Sequence, residues 1–267
     1  MQQHEWKKRL IPYEQAVEEL KVKFRNIRKE FVDRQEYAPV EFVTGRVKKI
    51  SSIIDKAKRL RIDLEDFEDK IEDVAGIRIM CQFVEDIYTV VRYIRSRKDM
   101  RVILEKDYIS QPKKSGYRSY HVIIAYPIQS ISGVVEILAE IQIRTLSMNF
   151  WATIEHSLRY KYDRNLPDEI AERLQRAADS AFMLDSEMSV IREEIIKAQI
   201  MFEMKSVTVK DIIHSIQQLV KLGREEEAIK FQKVFDEVRA ASDMEEIIGI
   251  RDALQARIYE LETERTV

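Results

Sequence analysis

Two carboxylates stand out by their positions in the chain. Asp73 falls at the mouth of the apolar run Ala75-Gly-Ile-Arg-Ile-Met-Cys-Gln-Phe83, and Glu140 lies inside the cleanly alternating stretch Val134–Arg144. Strand side chains alternate with period two, so Val135, Ile137, Ala139, Ile141 and Ile143 point one way. Glu136, Leu138, Glu140, Gln142 and Arg144 point the other way. The segment that follows reads as a helix with Asn149, Thr153, His156 and Tyr160 along one stripe. A carboxylate, amides and an imidazole thus converge where a strand passes into a helix, which is the layout of an active site. Two carboxylates with few other ligands suit Mg²⁺, which keeps waters and takes its remaining ligands from substrate phosphates. The same acids also admit a structural reading, in which Asp73 caps a turn and Glu140 pairs with Arg144 or Arg78.

Cationic residues flank both acids. From Arg46 to Arg61 there are seven basic residues and one acid, Asp55. In the helix predicted there, Ser52, Lys56 and Arg59 share a face opposite Ile50, Ile53, Ile54, Ala57 and Leu60. Such a face suits a polyphosphate, although composition alone also allows a solvated surface helix. Arg78 sits within an apolar strand and needs an anionic partner, either a buried carboxylate or a ligand phosphate. Lys113-Lys-Ser-Gly-Tyr117 is a turn that brings two lysines before an aromatic ring. Tyr117 could stack on a base and Asn149 read its hydrogen-bonding edge, with His121 and His156 as further candidates for phosphate or ribose. An isolated histidine is equally a satisfied structural residue. Metal, cationic clamp and aromatic residue together describe phosphoryl-type transfer, in which positioning and charge neutralisation do most of the work.

The elements that must position these groups read as α+β. Pro12 marks the expected first turn of a helix carrying Tyr13, Val17, Leu20, Phe24, Ile27 and Phe31, a stripe expected to pack on another helix. Lys21 and Arg25 form a basic pair beside it. After Pro39 come a strand near Glu41–Lys49, the cationic helix, and an acidic segment leading into the Ala75 strand. A helix over Glu85–Arg97 follows, then strands at Val102–Tyr108, Arg118–Tyr126 and Val134–Arg144, with a turn from Pro127 to Gly133. Short turns between the last three strands argue against a doubly wound parallel sheet. Beyond Pro167 the chain is helical, and Leu174, Ala177, Ala181, Leu184, Met188, Ile191 and Ile195 alternate at three and four. That seam predicts pairing with the N-terminal helix or with another subunit. From residue 206 two or three more helices follow, with Gly223 ending one and Ser242 with Glu245 capping another. Residues 1–205 therefore read as the functional domain, and 206–267 as a helical extension.

At 267 residues the chain can bury a full core, and its net charge of −2 gives no bulk attraction to RNA or to an anionic membrane. Any basic site must be local. Cys81 is the one cysteine, set in an apolar run, so it is expected in the core of a cytoplasmic protein. No apolar run approaches a membrane span and no signal-peptide pattern opens the chain. The six glycines are dispersed, which excludes glycine-rich phosphate loops. Phosphates must be met by Arg, Lys and metal.

The segments Glu41-Phe-Val-Thr-Gly-Arg-Val-Lys48, Asp73-Val-Ala-Gly-Ile-Arg78, Ser115-Gly-Tyr-Arg-Ser-Tyr-His121, Glu140-Ile-Gln-Ile-Arg-Thr145 and Trp151-Ala-Thr-Ile-Glu-His156 together resemble a RelA/SpoT-type synthetase domain of the small, single-domain kind. The likeness runs from about residue 5 to 200. It implies a nucleotidyltransferase-like, mixed, largely antiparallel sheet of about five strands flanked by helices. It also implies transfer of the β,γ-pyrophosphate of ATP to the ribose 3′-hydroxyl of GDP or GTP. By this resemblance Asp73 and Glu140 hold Mg²⁺, and Glu140 also draws the proton from the hydroxyl. Arg46, Lys48, Ser52, Lys56, Arg59 and Arg78 hold ATP. Lys113, Tyr117, His121, Gln142 and Asn149 hold the acceptor nucleotide, with Tyr117 stacked on guanine. A homotetramer is implied too, with a (p)ppGpp effector near Lys21, Arg25, Glu41, Phe42, Thr44 and Asn149, although Arg25 stands where a lysine is expected. Long relatives carry an alarmone hydrolase built on a His-Asp pair. The four histidines here precede Glu, Val, Ser and Ser, so hydrolysis is not expected. The competing reading is a non-catalytic nucleotide- or RNA-binding module, against which the presence of both acids and Tyr117 argues.

Overall fold

The computed structural model describes residues 3–131, 133–161, 167–241 and 243–264. Contacts divide the chain into two units, Met1–Val190 and Ile191–Val267. The first is built on five strands: β1 (Phe42–Val47), β2 (Ala75–Cys81), β3 (Arg101–Asp107), β4 (Tyr120–Ser130) and β5 (Gly133–Thr145). They lie in the order β1-β2-β5-β4-β3, with β2 and β5 parallel and every other adjacent pair antiparallel. The α+β class with a mixed, largely antiparallel sheet is therefore as the sequence predicts.

Helices α1 (Gln3–Asp33), α2 (Ile50–Leu60), α3 (Phe67–Lys70), α4 (Val84–Ser96) and α5 (Leu146–Lys161) belong to this unit. The α1 stripe is buried as expected, with Leu20 and Phe24 fully enclosed, and it packs chiefly on the sheet, with Tyr13 and Phe31 at its ends meeting Phe67 of α3 and Tyr93 of α4. Gly45 on β1 permits the approach to the sheet. A Cβ there would stand 2.8 Å from Val17 Cγ1 and 2.9 Å from Ile77 Cδ1. Pro12 does not open α1, which begins nine residues earlier and runs through it. An internal proline costs about 3 kcal/mol. Burial of Trp6, Leu10 and Tyr13, at roughly 1.5–3 kcal/mol for each large apolar side chain, outweighs that cost. Trp6 and Tyr13 both pack on the Phe67 ring, at centroid distances of 5.2 and 6.3 Å.

Pro127 likewise does not end a strand. It continues β4 opposite Glu136, while the β3 pairing of β4 stops at Ala125. The amide that proline lacks therefore falls where β4 has become an edge, the position a sheet tolerates. Cys81 is fully buried and its thiol is pushed well up by that burial, as suits a core residue.

Helix α6 (Asp168–Lys221) is a single element that crosses the division between the units and also passes the 205/206 boundary read from sequence. Its face bearing Ala178 and Asp185 is buried in the first unit. In the part of the seam within the first unit, Leu184 and Met188 are exposed by 57 and 45 %, so that part is not buried against α1. The second unit adds α7 (Glu225–Ala241) and α8 (Met244–Glu264) and has its own core of Ile212, Leu219, Phe235, Ile247 and Leu254. Gly223, at φ +78°, follows the end of α6. The predicted Ser242 cap lies outside the described residues. Asp243 caps α8, its Oδ1 accepting from the amide of Glu245 at 2.9 Å.

Candidate active site

Sheet pairing brings together what the sequence keeps up to a hundred residues apart. Residues directly paired across strands share a face. One such row is Thr44, Arg78, Gln142, His121 and Lys106, and the next contains Arg46, Gly76 and Glu140. The opposite face carries Ile77, Ile79, Val122, Ile124, Ala139, Ile141 and Ile143, all buried in the core. One face of the sheet is thus the core and the other the site. Thr44, Arg46, Lys48, Asp73, Arg78, Glu140 and Gln142 line a single cleft.

Asp73 sits between two ammonium groups, with Lys48 Nζ donating to Oδ2 at 2.7 Å and Lys56 Nζ to Oδ1 at 2.8 Å. Burial alone would raise its pKa, but the two cations outweigh that and hold the carboxyl below its ordinary value. Arg78 is half-buried, and burial followed by the nearby Arg144 and Arg46 cations lowers its pKa. No carboxylate pairs with it among the described residues, so this guanidinium faces the cleft as an unneutralised charge.

Glu140 is engaged at both oxygens. His121 Nδ1 lies 2.9 Å from Oε1, and Gln142 Nε2 donates to Oε2 at 2.7 Å. Burial pushes this carboxyl up, while the His121 and Gln142 bonds outweigh it, so Glu140 is held ionised with its pKa below the usual range. The far nitrogen of His121 lies 2.7 Å from Tyr117 Oη. Lys113 Nζ stands over the rings of Tyr108 and Tyr117, at 4.4 and 4.8 Å, and burial lowers its pKa.

Lys113, Tyr117, His121 and Gln142 therefore form one assembly with Glu140. Of the α2 residues, Lys56 reaches Asp73, whereas Ser52 is half-buried, Arg59 is exposed, and neither lines the cleft. Asn149 is half-buried on α5 and does not line the cleft either. His156 is exposed on the same helix. The effector candidates divide. Arg25, Glu41 and Phe42 border a separate cavity of about 460 Å³, Lys21 pairs with Glu18 at 2.6 Å, and Thr44 belongs to the cleft. Two neighbours escape a reading of sequence. Tyr108 packs edge-on against His121 at 5.2 Å and Tyr117 at 6.0 Å, although in sequence it only ends a strand. Arg144 contacts Tyr117 and Gln142 rather than Glu140, and its place on the polar face of β5 is the signal that could have flagged it.

Residues 45–165 match the family described as the region found in RelA / SpoT proteins. The chain is 53% identical over 205 residues to the GTP pyrophosphokinase YjbM of Bacillus subtilis, an alignment covering 77% of this chain and 97% of that one. The chain belongs to the RelA/SpoT family. Among solved structures, it is similar to the small alarmone synthetase 1 of Bacillus subtilis bound to its product pppGpp. That likeness has a TM-score of 0.70 and 54% identity, and covers 72% of this chain and 98% of the other. The same enzyme bound to AMPCPP matches with a TM-score of 0.64 and 50% identity, over 72% and 98%. The RelA/SpoT match takes in β2 to β5 and every residue lining the cleft except Thr44.

Proposed function

We propose that this chain is a (p)ppGpp synthetase that transfers the β,γ-pyrophosphate of ATP to the 3′-hydroxyl of GDP or GTP and releases AMP. The observation that carries this reading is the charge of the cleft. Four cations, Arg46, Lys48, Lys56 and Arg78, lie around the two carboxylates, and no carboxylate pairs with Arg78 among the described residues. A polyphosphate supplies the missing negative charge. The relatives' names as GTP pyrophosphokinases, and the pppGpp and AMPCPP bound to one of them, support the same chemistry.

Mg²⁺ fits the donor set. Asp73 and Glu140 are two oxygen donors facing one cleft, the number that suffices when substrate phosphates and water complete the shell. When bound, the ion supplies charge neutralisation on the transferred phosphates. Lys48 and Lys56, held by Asp73 in the free protein, turn to the phosphates of ATP, and Arg46 and Arg78 hold them beside. Glu140 accepts the proton of the 3′-hydroxyl as the 3′-oxygen bonds to the β-phosphorus and the bond from that phosphorus to the α-phosphate oxygen breaks. Lys113 leaves the rings for the acceptor's phosphates, freeing Tyr117 to stack on guanine, with Tyr108 as a second aromatic wall. Ser52 and Arg59 extend the ATP surface along α2, and Asn149 reaches the acceptor from α5. The test is to incubate the chain with ATP, GDP and Mg²⁺ and resolve the nucleotides. AMP and a guanosine tetraphosphate are expected in equal amounts, and their absence at every metal and effector condition would favour the non-catalytic binder.

The exposed α6 seam supports assembly as a homotetramer, with the cavity at Arg25, Glu41 and Phe42 as the surface for a (p)ppGpp effector. A buried thiol, and no described helix long and apolar enough to cross a membrane, support a cytoplasmic setting. Residues 206–267 act as an extension not needed for synthesis. A chain ending at Lys205 keeps the seam, and is expected to retain both the oligomer in sedimentation and basal synthesis. A monomeric or unfolded product would instead tie the extension to the core.

A further inference from the structure

Arg144 is charged, only 5 % exposed, and one residue from the end of β5. Its Nε donates to Ser119 Oγ at 3.2 Å, and its Nη2 to Tyr117 Oη at 2.5 Å and Gln142 Oε1 at 2.7 Å. A guanidinium has five donors and no acceptor, so the direction of each of these bonds is fixed.

The direction then propagates along two branches. Tyr117 Oη accepts from Arg144 and also meets Ser119 and His121 Nε2. The Ser119 hydroxyl already gives its proton to the Ile143 carbonyl and takes the Arg144 Nε–H, so the Tyr117 proton goes to His121 Nε2, at 2.7 Å. A neutral imidazole that accepts at Nε2 carries its hydrogen on Nδ1, which is 2.9 Å from Glu140 Oε1. In the second branch the carbonyl oxygen of Gln142 is taken by Arg144. Its amide nitrogen must then face Glu140 Oε2, at 2.7 Å. Both branches start at one guanidinium and end on opposite oxygens of one carboxylate.

We infer that Arg144 is a positioning residue, which anchors the far ends of both branches with the polarity that the acceptor-only Glu140 carboxylate demands at their near ends, so that the two N–H donors and the carboxylate between them are fixed in one orientation. The inference rests on the reading of Glu140 as the group facing the acceptor hydroxyl. Without Arg144 the Gln142 carbonyl loses its anchor, so its amide can leave Glu140. Tyr117 loses the donor that holds its hydroxyl, and His121, still kept as Nδ1–H by the carboxylate, loses the fixed ring position that its far nitrogen gave it. A lysine cannot substitute, because a single ammonium lacks the planar fork that meets two acceptors at fixed angles.

The experiment is ¹⁵N NMR of the imidazoles in the full-length protein, free of nucleotide and metal, at a pH well above the ordinary histidine pKa. Four histidines are present, and His121→Gln assigns the signal of His121. The wild type is expected to show His121 as Nδ1–H. In Arg144→Met the Nδ1–H tautomer should persist, because Glu140 still only accepts, while the Nδ1 proton exchanges with solvent on the order of tenfold faster and the other three histidines are unchanged. In parallel, kcat should fall on the order of tenfold to a hundredfold with KM for ATP within about twofold. A wild-type Nε2–H tautomer, or unchanged exchange of the His121 Nδ1 proton in Arg144→Met, overturns the inference. Should Arg144→Met fail to fold, Tyr117→Phe breaks the first branch alone and must speed the same exchange, and no change there is equally fatal. If the exchange behaves as described while no alarmone is made by the wild type, the hydrogen-bond circuit stands and the catalytic reading of Glu140 falls.

Discussion

Glu140→Gln is expected to reduce alarmone synthesis by on the order of 10³-fold while leaving ATP binding measurable. The substitution preserves shape and removes the charge that takes the hydroxyl proton. It also disturbs the immediate surroundings. His121 Nδ1 and Gln142 Nε2 both aim donors at this side chain, and an amide offers one oxygen and one NH₂ where the carboxylate offers two acceptors. One donor therefore meets another donor, and the side chain must turn or His121 must change tautomer. The residues that would hold ATP are bound elsewhere, Lys48 and Lys56 to Asp73, so a non-hydrolysable ATP analogue should still bind within a few-fold of wild type. Single-turnover kinetics and titration calorimetry separate the two quantities. Turnover within tenfold of wild type would take the proton-acceptor role away from Glu140.

Gly116→Ala should damage the acceptor side alone, lowering kcat/KM for the guanine nucleotide on the order of 10²-fold with KM for ATP changed less than about twofold. Gly116 has φ +85°, where a residue with a Cβ pays about 1–2 kcal/mol. The added Cβ would also stand 2.6 Å from Ala178 Cβ and 3.4 Å from the backbone of Gln175 on α6. That helix has little room to retreat. Trp151 Nε1 donates to the Leu174 carbonyl at 2.9 Å, and Arg118 bonds Asp179 at 2.9 Å while its guanidinium lies over Phe182 at 4.6 Å. The turn must therefore move instead. It is closed by Gly116 N–H to the Lys113 carbonyl at 2.8 Å, so both Lys113 and Tyr117 move with it. Adding Ala178→Gly removes the nearest clash and should recover part of the loss, but not the part due to backbone conformation. A double variant no better than Gly116→Ala would show that the helix contact is not what fixes the turn.

Local periodicity carried much of the architecture. The alternation in Val134–Arg144 placed Glu140 and Gln142 on one face and Ala139, Ile141 and Ile143 in the core, where the structure has them. The threes and fours of α1 identified its buried stripe. These features depend on the geometry of one element at a time, which a short window of sequence contains. The prolines misled for the complementary reason. Whether Pro12 opens a helix or is carried within one depends on Trp6 and Tyr13 meeting Phe67, some fifty to sixty residues away.

What sequence by itself determined was therefore which side chains share a face within each strand or helix. The tertiary structure decided which strands are neighbours. Only the parallel pairing of β2 with β5, which sets Gly76 beside Glu140 and Arg78 beside Gln142, brings Asp73 and its lysines to the second carboxylate. It also left Leu184 and Met188 of the α6 seam exposed, and it made Arg144 the anchor of two hydrogen-bond branches rather than the salt-bridge partner of Glu140. Strand order and buried polar partners are set by contacts between residues distant in sequence. No period within one element encodes them.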